Sequence, residues 1–327
     1  MVKKNSRNFR HVNNNFFTFM KSPKIKVIGV GGAGCNTISR LSSIGFKNVD
    51  LIAVNTDIQS LKACSATQKI LIGEKITGGF GVGMDYKLGE KAIEESKEKI
   101  KEILKDAEIV FLTAGLGGGS GTPAISAIGA MAKSLKILSL AVVTLPFSFE
   151  GVLRQRIASL GLKNLQKNID AYSCIPNNRV LKVINKATSV EDAFLKIDSV
   201  LSNSLYGIFN LLSSPGIISV DFNDLEEILK NSGRILFGMG TAKGENRAVS
   251  AASKALQSPL LDFSIKKSQG ILFNVGGSDV SLFEVNSVAS FIKKITDKRT
   301  KIIFGVSENE VAAEGEIKVT LIATGIE

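Results

Sequence analysis

The sequence is poor in the residues that most often carry hydrolytic and redox chemistry. Its 327 residues include one histidine, His11, and three cysteines, Cys35, Cys64 and Cys174. The histidine lies in a polar N-terminal segment, which sets aside histidine-based acid–base catalysis and a His-ligated metal. The cysteines are widely spaced, odd in number and without a CxxC pair. That argues against a disulfide framework or a zinc site and fits a reducing compartment. No apolar run reaches the length of a membrane-spanning helix; the longest, "ILSLAVVTLPF", is strand-sized and ends at a proline. The start has no continuous apolar stretch of the secretory kind. Acidic residues are missing from the opening of the chain, where Asp50 is the first.

What is present is a soluble globular composition, 44% hydrophobic and 22% charged, with a net charge of +11. Much of that charge is local. "MVKKNSRNFRHVNNNFFTFMKSPK" carries Lys3, Lys4, Arg7, Arg10, Lys21 and Lys24 with no counter-charge, and Phe16, Phe17, Phe19 and Met20 are embedded in it. Residues 1–23 read as a basic disordered arm. A weak interfacial anchor on anionic lipid and a targeting presequence are the competing readings. Nucleic-acid binding would rest on net charge alone, and no nucleic-acid partner is expected.

From Lys24 the pattern alternates between apolar strands and helices. "KIKVIGV", "DLIAVNT", "QKILIG", "EIVFLTAG" and "KILSLAVVTLPF" read as strands, and "YKLGEKAIEESKEKIKEILKD" as one charged helix. Continuous apolar strands separated by helices indicate α/β architecture, a parallel sheet covered on both faces. This places an α/β domain at 24–190 and a long central helix at 191–214. A smaller α+β domain at 215–327 has four strands, the last two of which ("TKIIFGVS" and "IKVTLIATG") suggest an antiparallel hairpin.

Two glycine-rich stretches join strands to helices. "GVGGAGCN", 29–36, satisfies GxGxxG, by itself a weak signal for a dinucleotide fold or merely a tight turn. "GLGGGSGT", 115–122, repeats the arrangement on a second strand. Glycines let amide groups approach an anion, and a helix N-terminus adds partial positive charge. Two such stretches predict one ligand with more than one phosphate, with the amides of Gly117 to Thr122 free to meet it. Neither contains GK[ST], which disfavours a Walker-type ATPase. The usual ribose-binding acid of a Rossmann oxidoreductase is missing from the second strand, which ends in Asn55-Thr56-Asp57. Pro123 falls where a missing N–H is tolerated, in the first turn of the following helix.

"GGGSGT" after an apolar strand, with "GVGGAGCN", "LIAVNTD", "PFSFEGVLRQR", "IPNNRVL", "DAFLKIDSVL", "SVDFNDLEEIL" and "VTLIATG" in that order, resembles the tubulin/FtsZ family of GTPases from about Lys24 onward. The resemblance implies a tubulin-like fold and a GTP/GDP site with Mg²⁺. It assigns phosphate and nucleoside contacts to Gly31, Gly32, Ala33, Gly34, Cys35 and Asn36. It assigns the polyphosphate cradle to Gly117, Gly118, Gly119, Ser120, Gly121 and Thr122. Glu150 would accept from the ribose with Arg154 beside it; read alone, the two are a surface i,i+4 ion pair. Asn177 would contact base or ribose, Phe194 would stack on the base, and Asp198 would accept from guanine. Read alone, Phe194 is a core residue and Asp198 a solvated one.

Asp221 and Asp224 are the catalytic pair by resemblance; by local chemistry they equally suit a helix N-cap and its first turn. No metal ligand is assigned firmly, with Asp57 the nearest candidate to the Mg²⁺ region. The family further implies head-to-tail homopolymers, GTP hydrolysis completed between subunits, and a cytoplasmic role at the division site. The competing reading within the family is a polymer scaffold that does not hydrolyse GTP. A peptide that docks division-ring adaptor proteins usually follows the last strand; with the sequence running to Glu327, membrane tethering is left without an assigned segment or is expected of the N-terminal arm. Ser120, Pro123, Ser126, Gly78, Asn178 and Ser219 depart from the family pattern, and altered rates are expected rather than lost activity.

Overall fold

The computed structural model describes residues 23–45, 49–213, 216–257, 264–307 and 314–326. The expectations for the basic arm therefore lie outside the described residues, apart from Pro23.

Five apolar runs form parallel strands as their patterns require: β1 (Ile25–Val30), β2 (Val49–Asn55), β3 (Gln68–Leu71), β4 (Ile109–Gly115) and β5 (Leu138–Leu145), followed by β6 (Ala171–Pro176). All six residues of β1 are buried. Alternation along it feeds two cores: Val27 packs with the core on one face, Ile28 with the core on the other. Even Lys26 is buried, its ammonium held by the Ile103 carbonyl and Asp106. The helices divide between those faces. α1 (Gly31–Ile44) and the long α8 (Val190–Ser213) contribute to the first core. α4 (Tyr86–Glu95), α5 (Lys97–Leu104), α6 (Gly121–Ser134) and α7 (Val152–Asn168) contribute to the second. The short α2 (Ile58–Ala63) packs beside β2 and β3, and the short α3 (Glu74–Thr77) packs beside α4.

The chain order across the sheet is β3-β2-β1-β4-β5-β6, so the direction of progression reverses between β1 and β4. Ligands of open parallel sheets sit at the carboxyl ends of the strands at such a reversal. The second half continues the same sheet: β8 (Gly233–Lys243), β11 (Glu316–Thr324), β9 (Gly270–Gly276), β10 (Lys301–Ser307) and the short β7 (Gly216–Ile218). Its helices are α9 (Phe222–Leu229), α10 (Arg247–Leu256) and α11 (Leu282–Ile295). Two residue pairs, Ala171↔Gly233 and Tyr172↔Arg234, join β6 to β8 in parallel.

Two local expectations are corrected. The charged helix is two helices, α4 and α5, because the buried Ser96 between them leaves helical geometry and its hydroxyl accepts the Gly73 amide at 3.0 Å. The last two strands do not form a hairpin. β11 lies antiparallel between β8 and β9, and β10 pairs with the far side of β9 in parallel. All nine residues of β11 pair with β8, and seven with β9. That central position satisfies both of its edges, which a terminal hairpin would leave half open. Among the described residues no helix is long and apolar enough to cross a membrane.

Candidate functional site

A cleft of about 390 Å³ opens at the carboxyl ends of β1, β4 and β5, at the reversal point of the sheet. The first glycine stretch is less a loop than the opening of α1, which begins at Gly31 directly after β1. Gly31 takes φ +74°, and a Cβ there would meet Gly121 Cα at 2.9 Å. The two glycine stretches thus touch, backbone against backbone. The second stretch turns after Gly115 and enters α6 at Gly121. The N-termini of α1 and α6 both reach this cleft, and their dipoles and exposed amides suit an anion. Pro123 is the third residue of α6, inside the first turn, where no intrahelical acceptor waits for its missing N–H.

Of the residues expected to hold ligand, Gly31, Gly32, Ala33, Asn36, Gly118, Gly119, Ser120, Gly121, Glu150, Arg154, Asn177, Phe194 and Asp198 line this cleft together. Gly34, Cys35, Gly117 and Thr122 do not line it, and each has a structural occupation. A Cβ on Gly34 would strike the Gly29 backbone at 2.6 Å, so this glycine seats α1 on β1. Cys35 is buried in the core, where desolvation pushes its thiol up to about 12. The Thr122 hydroxyl accepts the Gly117 amide at 2.9 Å, and the Gly119 amide donates to the Gly83 carbonyl at 3.0 Å. The amides of Gly117 to Thr122 are therefore not all free for an anion, as the sequence suggested: two hold the turn in shape.

The rest of the cleft is built from distant segments. After β5 the chain makes a short 3₁₀ turn, Ser148–Glu150. The Glu150 carboxylate accepts the Phe147 amide at 2.8 Å and pairs with Arg154 in the first turn of α7. The i,i+4 pair is real, and it also faces the cleft. Asn178 ties this turn down by accepting from the Ser148 amide at 3.1 Å. Phe147 stacks on Phe149 with centroids 4.9 Å apart and meets Phe194 edge-on at 6.3 Å. Asn177 is buried, and its Oδ1 lacks a hydrogen-bond partner among the described residues. A buried acceptor left open at a cleft wall is suited to a ligand donor.

Asp198 is buried one helical turn from Phe194. Its Oδ1 accepts the Thr37 hydroxyl at 3.0 Å, and its Oδ2 is paired with the Arg40 guanidinium. Burial pushes this carboxyl above its ordinary value, against the pull of Arg40 and Thr37. Thr37 and Arg40 are cleft residues that the sequence did not flag. They sit in "NTISRL" on an ordinary amphipathic helix, and nothing local marks them.

Asp221 and Asp224 are not among the residues lining the cleft. Asp221 is the exposed N-cap of α9, just past the edge strand β7. Asp57 is the N-cap of α2, its carboxylate accepting from the Gln59 amide and the Ser60 amide and hydroxyl. Ser60 and these amides hold it below its ordinary value. Among the described residues there is no group of three acidic, histidine or cysteine side chains that could hold a metal unaided.

Two helix N-termini and a bare backbone at the reversal point, with an aromatic and a carboxylate at the other end of the cleft, define a nucleotide-binding α/β protein. Comparison with known proteins narrows this class. The Tubulin/FtsZ family GTPase domain matches residues 24–185, and the FtsZ family C-terminal domain matches residues 233–327. The structure superposes on an empty FtsZ dimer from M. jannaschii with a TM-score of 0.83 at 39% identity, covering 94% of this chain and 89% of that one. It also matches the fold of CetZ2 from Haloferax volcanii, in a GTPγS-bound protofilament, with a TM-score of 0.79 at 24% identity, covering 93% of each chain. The chain belongs to the tubulin/FtsZ family and carries its GTPase domain.

Proposed function

We propose that this protein binds GTP in the cleft and hydrolyses it within head-to-tail filaments, each active site being completed by the next copy of the chain. The α- and β-phosphate end lies against the first turns of α1 and α6, and Phe194 and Asp198 receive the base. Glu150 accepts from the ribose with Arg154 beside it. Mg²⁺, which the family implies, would be held there mainly by phosphate oxygens and water and would supply charge neutralisation. No lysine of the Walker type is needed, because oriented amides and helix ends meet the phosphate charge.

The observation that carries this reading is the separation of the acidic pair from the cleft. Asp221 and Asp224 are outside it, on an exposed helix start at the sheet edge. Carboxylates so placed reach a nucleotide only when another subunit presents them. There they would orient the attacking water, which is positioning rather than covalent chemistry. An interface between unlike surfaces does not close on itself and propagates as a filament. In support, FtsZ from M. jannaschii is a dimer in its solved structure, and CetZ2 forms a protofilament. The setting we infer is the cytoplasm at the division site. Adaptor or membrane contact is assigned to segments beyond the described core, with residues 1–22 the first to delete in a liposome flotation assay.

The test is light scattering and phosphate release over a series of protein concentrations. Scattering is expected with GTP and not with GDP or ATP, and turnover per subunit is expected to rise with concentration. A turnover number independent of concentration would overturn completion of the site between subunits.

A further inference from the structure

Asp198 is held by two groups from α1, and the arrangement leaves it half used. An ionised carboxylate has about four lone-pair positions, two on each oxygen. Thr37 takes one on Oδ1 and Arg40 one on Oδ2. One position on each oxygen remains, a spacing suited to the adjacent N1–H and amino donors of guanine. Adenine presents one amino donor and an acceptor nitrogen on the same edge. An ionised carboxylate repels that acceptor, whereas a protonated one donates to it and accepts from the amino group. The protonation state of Asp198 therefore decides which purine this end of the cleft fits.

We propose that Arg40, supported by Thr37, is a specificity-determining residue: by keeping the buried Asp198 ionised it makes the cleft select guanine and reject adenine. The proposal rests on the guanine-nucleotide reading of the cleft given above. Burial alone favours the neutral acid, and Arg40 is the charged partner that opposes it. The other titratable groups lining the cleft are Glu150 and Arg154, and these are paired with each other. On the elements packed beside Asp198, Lys196 of α8 donates to the Val183 carbonyl at 3.2 Å; Arg179 and Lys182 belong to the segment after β6. Arg40 acts through Asp198 and is a positioning residue, not a catalytic one.

The experiment measures GTP and ATP affinity for the full chain and for Arg40→Gln, Arg40→Lys and Thr37→Val across a pH series from about 5 to 9. In Arg40→Gln, GTP affinity is expected to fall by about tenfold or more at neutral pH, the loss of one charged hydrogen bond, and to recover as pH rises. ATP affinity is expected to gain toward acid pH. Arg40→Lys keeps the charge and is expected to hold the parent's pH profile, and Thr37→Val to shift it in the direction of Arg40→Gln by a smaller amount. Calorimetry of the unmodified protein in buffers of different ionisation enthalpy is expected to show proton release on GTP binding that grows toward acid pH, which needs no variant to fold. An Arg40→Gln protein that keeps the parent's GTP-over-ATP ratio at every pH, or loses both nucleotides equally without pH dependence, overturns the role of Arg40. A parent protein that shows no preference for GTP overturns the guanine reading itself.

Discussion

Asp221 and Asp224 cap each other: the Asp221 carboxylate accepts the Asp224 amide at 2.8 Å, and the Asp224 carboxylate accepts the Asp221 amide at 3.2 Å. The residues assigned to catalysis are therefore also a reciprocal capping box that starts α9. The two roles need not compete, because a carboxylate keeps free lone pairs after accepting one amide.

The capping and catalytic roles separate in a pair of variants. Asparagine caps a helix about as well as aspartate, and alanine does not. Asp221→Asn is expected to retain stability, GTP binding and assembly while hydrolysing GTP far more slowly. Asp221→Ala is expected to lose hydrolysis and in addition about 1 kcal/mol of stability. Denaturant titration alongside phosphate release reads both; an asparagine variant with the parent's turnover would remove Asp221 from the chemistry.

Gly89 on α4 is expected to control the phosphate end of the cleft without touching ligand. A Cβ there would sit 1.9 Å from the Gly119 carbonyl oxygen and 2.8 Å from Pro123 Cγ. Gly89→Ala must push α4 away from the glycine turn, at a cost of about 1–3 kcal/mol. Nucleotide affinity should weaken with it. Unchanged melting temperature and unchanged GTP affinity in this variant would show that the turn tolerates displacement.

The acid limb of stability is expected to depend on Asp106. Hydrogen bonds from Lys24 and then Lys26 hold its carboxyl well below the ordinary value of 3.8. For a depressed carboxyl the stabilisation is present above the unfolded-state value and is lost as pH falls through the lower folded-state one. The stability gap between the parent and Asp106→Asn is thus expected to narrow below about pH 4. Because Asp106 is 54% exposed, added salt should shrink the gap at neutral pH as well. A gap that stays constant across pH, followed by thermal melts, would show that the ion pairs contribute nothing.

Much of the fold was legible because burial on both faces writes itself into sequence as continuous apolar runs, as in "KIKVIGV" and "EIVFLTAG". The glycine stretches were legible as turns that bring backbone to the strand ends, for the same local reason. What was not legible depends on partners far away in the chain. Arg40 looks like a solvated helix residue until Asp198, 158 positions on, is brought against it. The amides of Gly117 and Gly119 look free until Thr122 folds back and Gly83 arrives from another loop. The break at Ser96 carries no glycine or proline, since its cause is a hydrogen bond to Gly73. The placement of β11 between β8 and β9 is a long-range pairing that a neighbouring-strand reading turns into a hairpin.

The bare backbone at the mouths of α1 and α6 has a further consequence. Amide groups carry no proton that titrates, whereas the Asp198 carboxyl does, and burial raises it above its ordinary value. One end of the cleft is therefore indifferent to acidity and the other responds to it. On the reading proposed above, acid strong enough to protonate Asp198 would leave the amides of the phosphate end unchanged and remove the ability to tell which purine is attached.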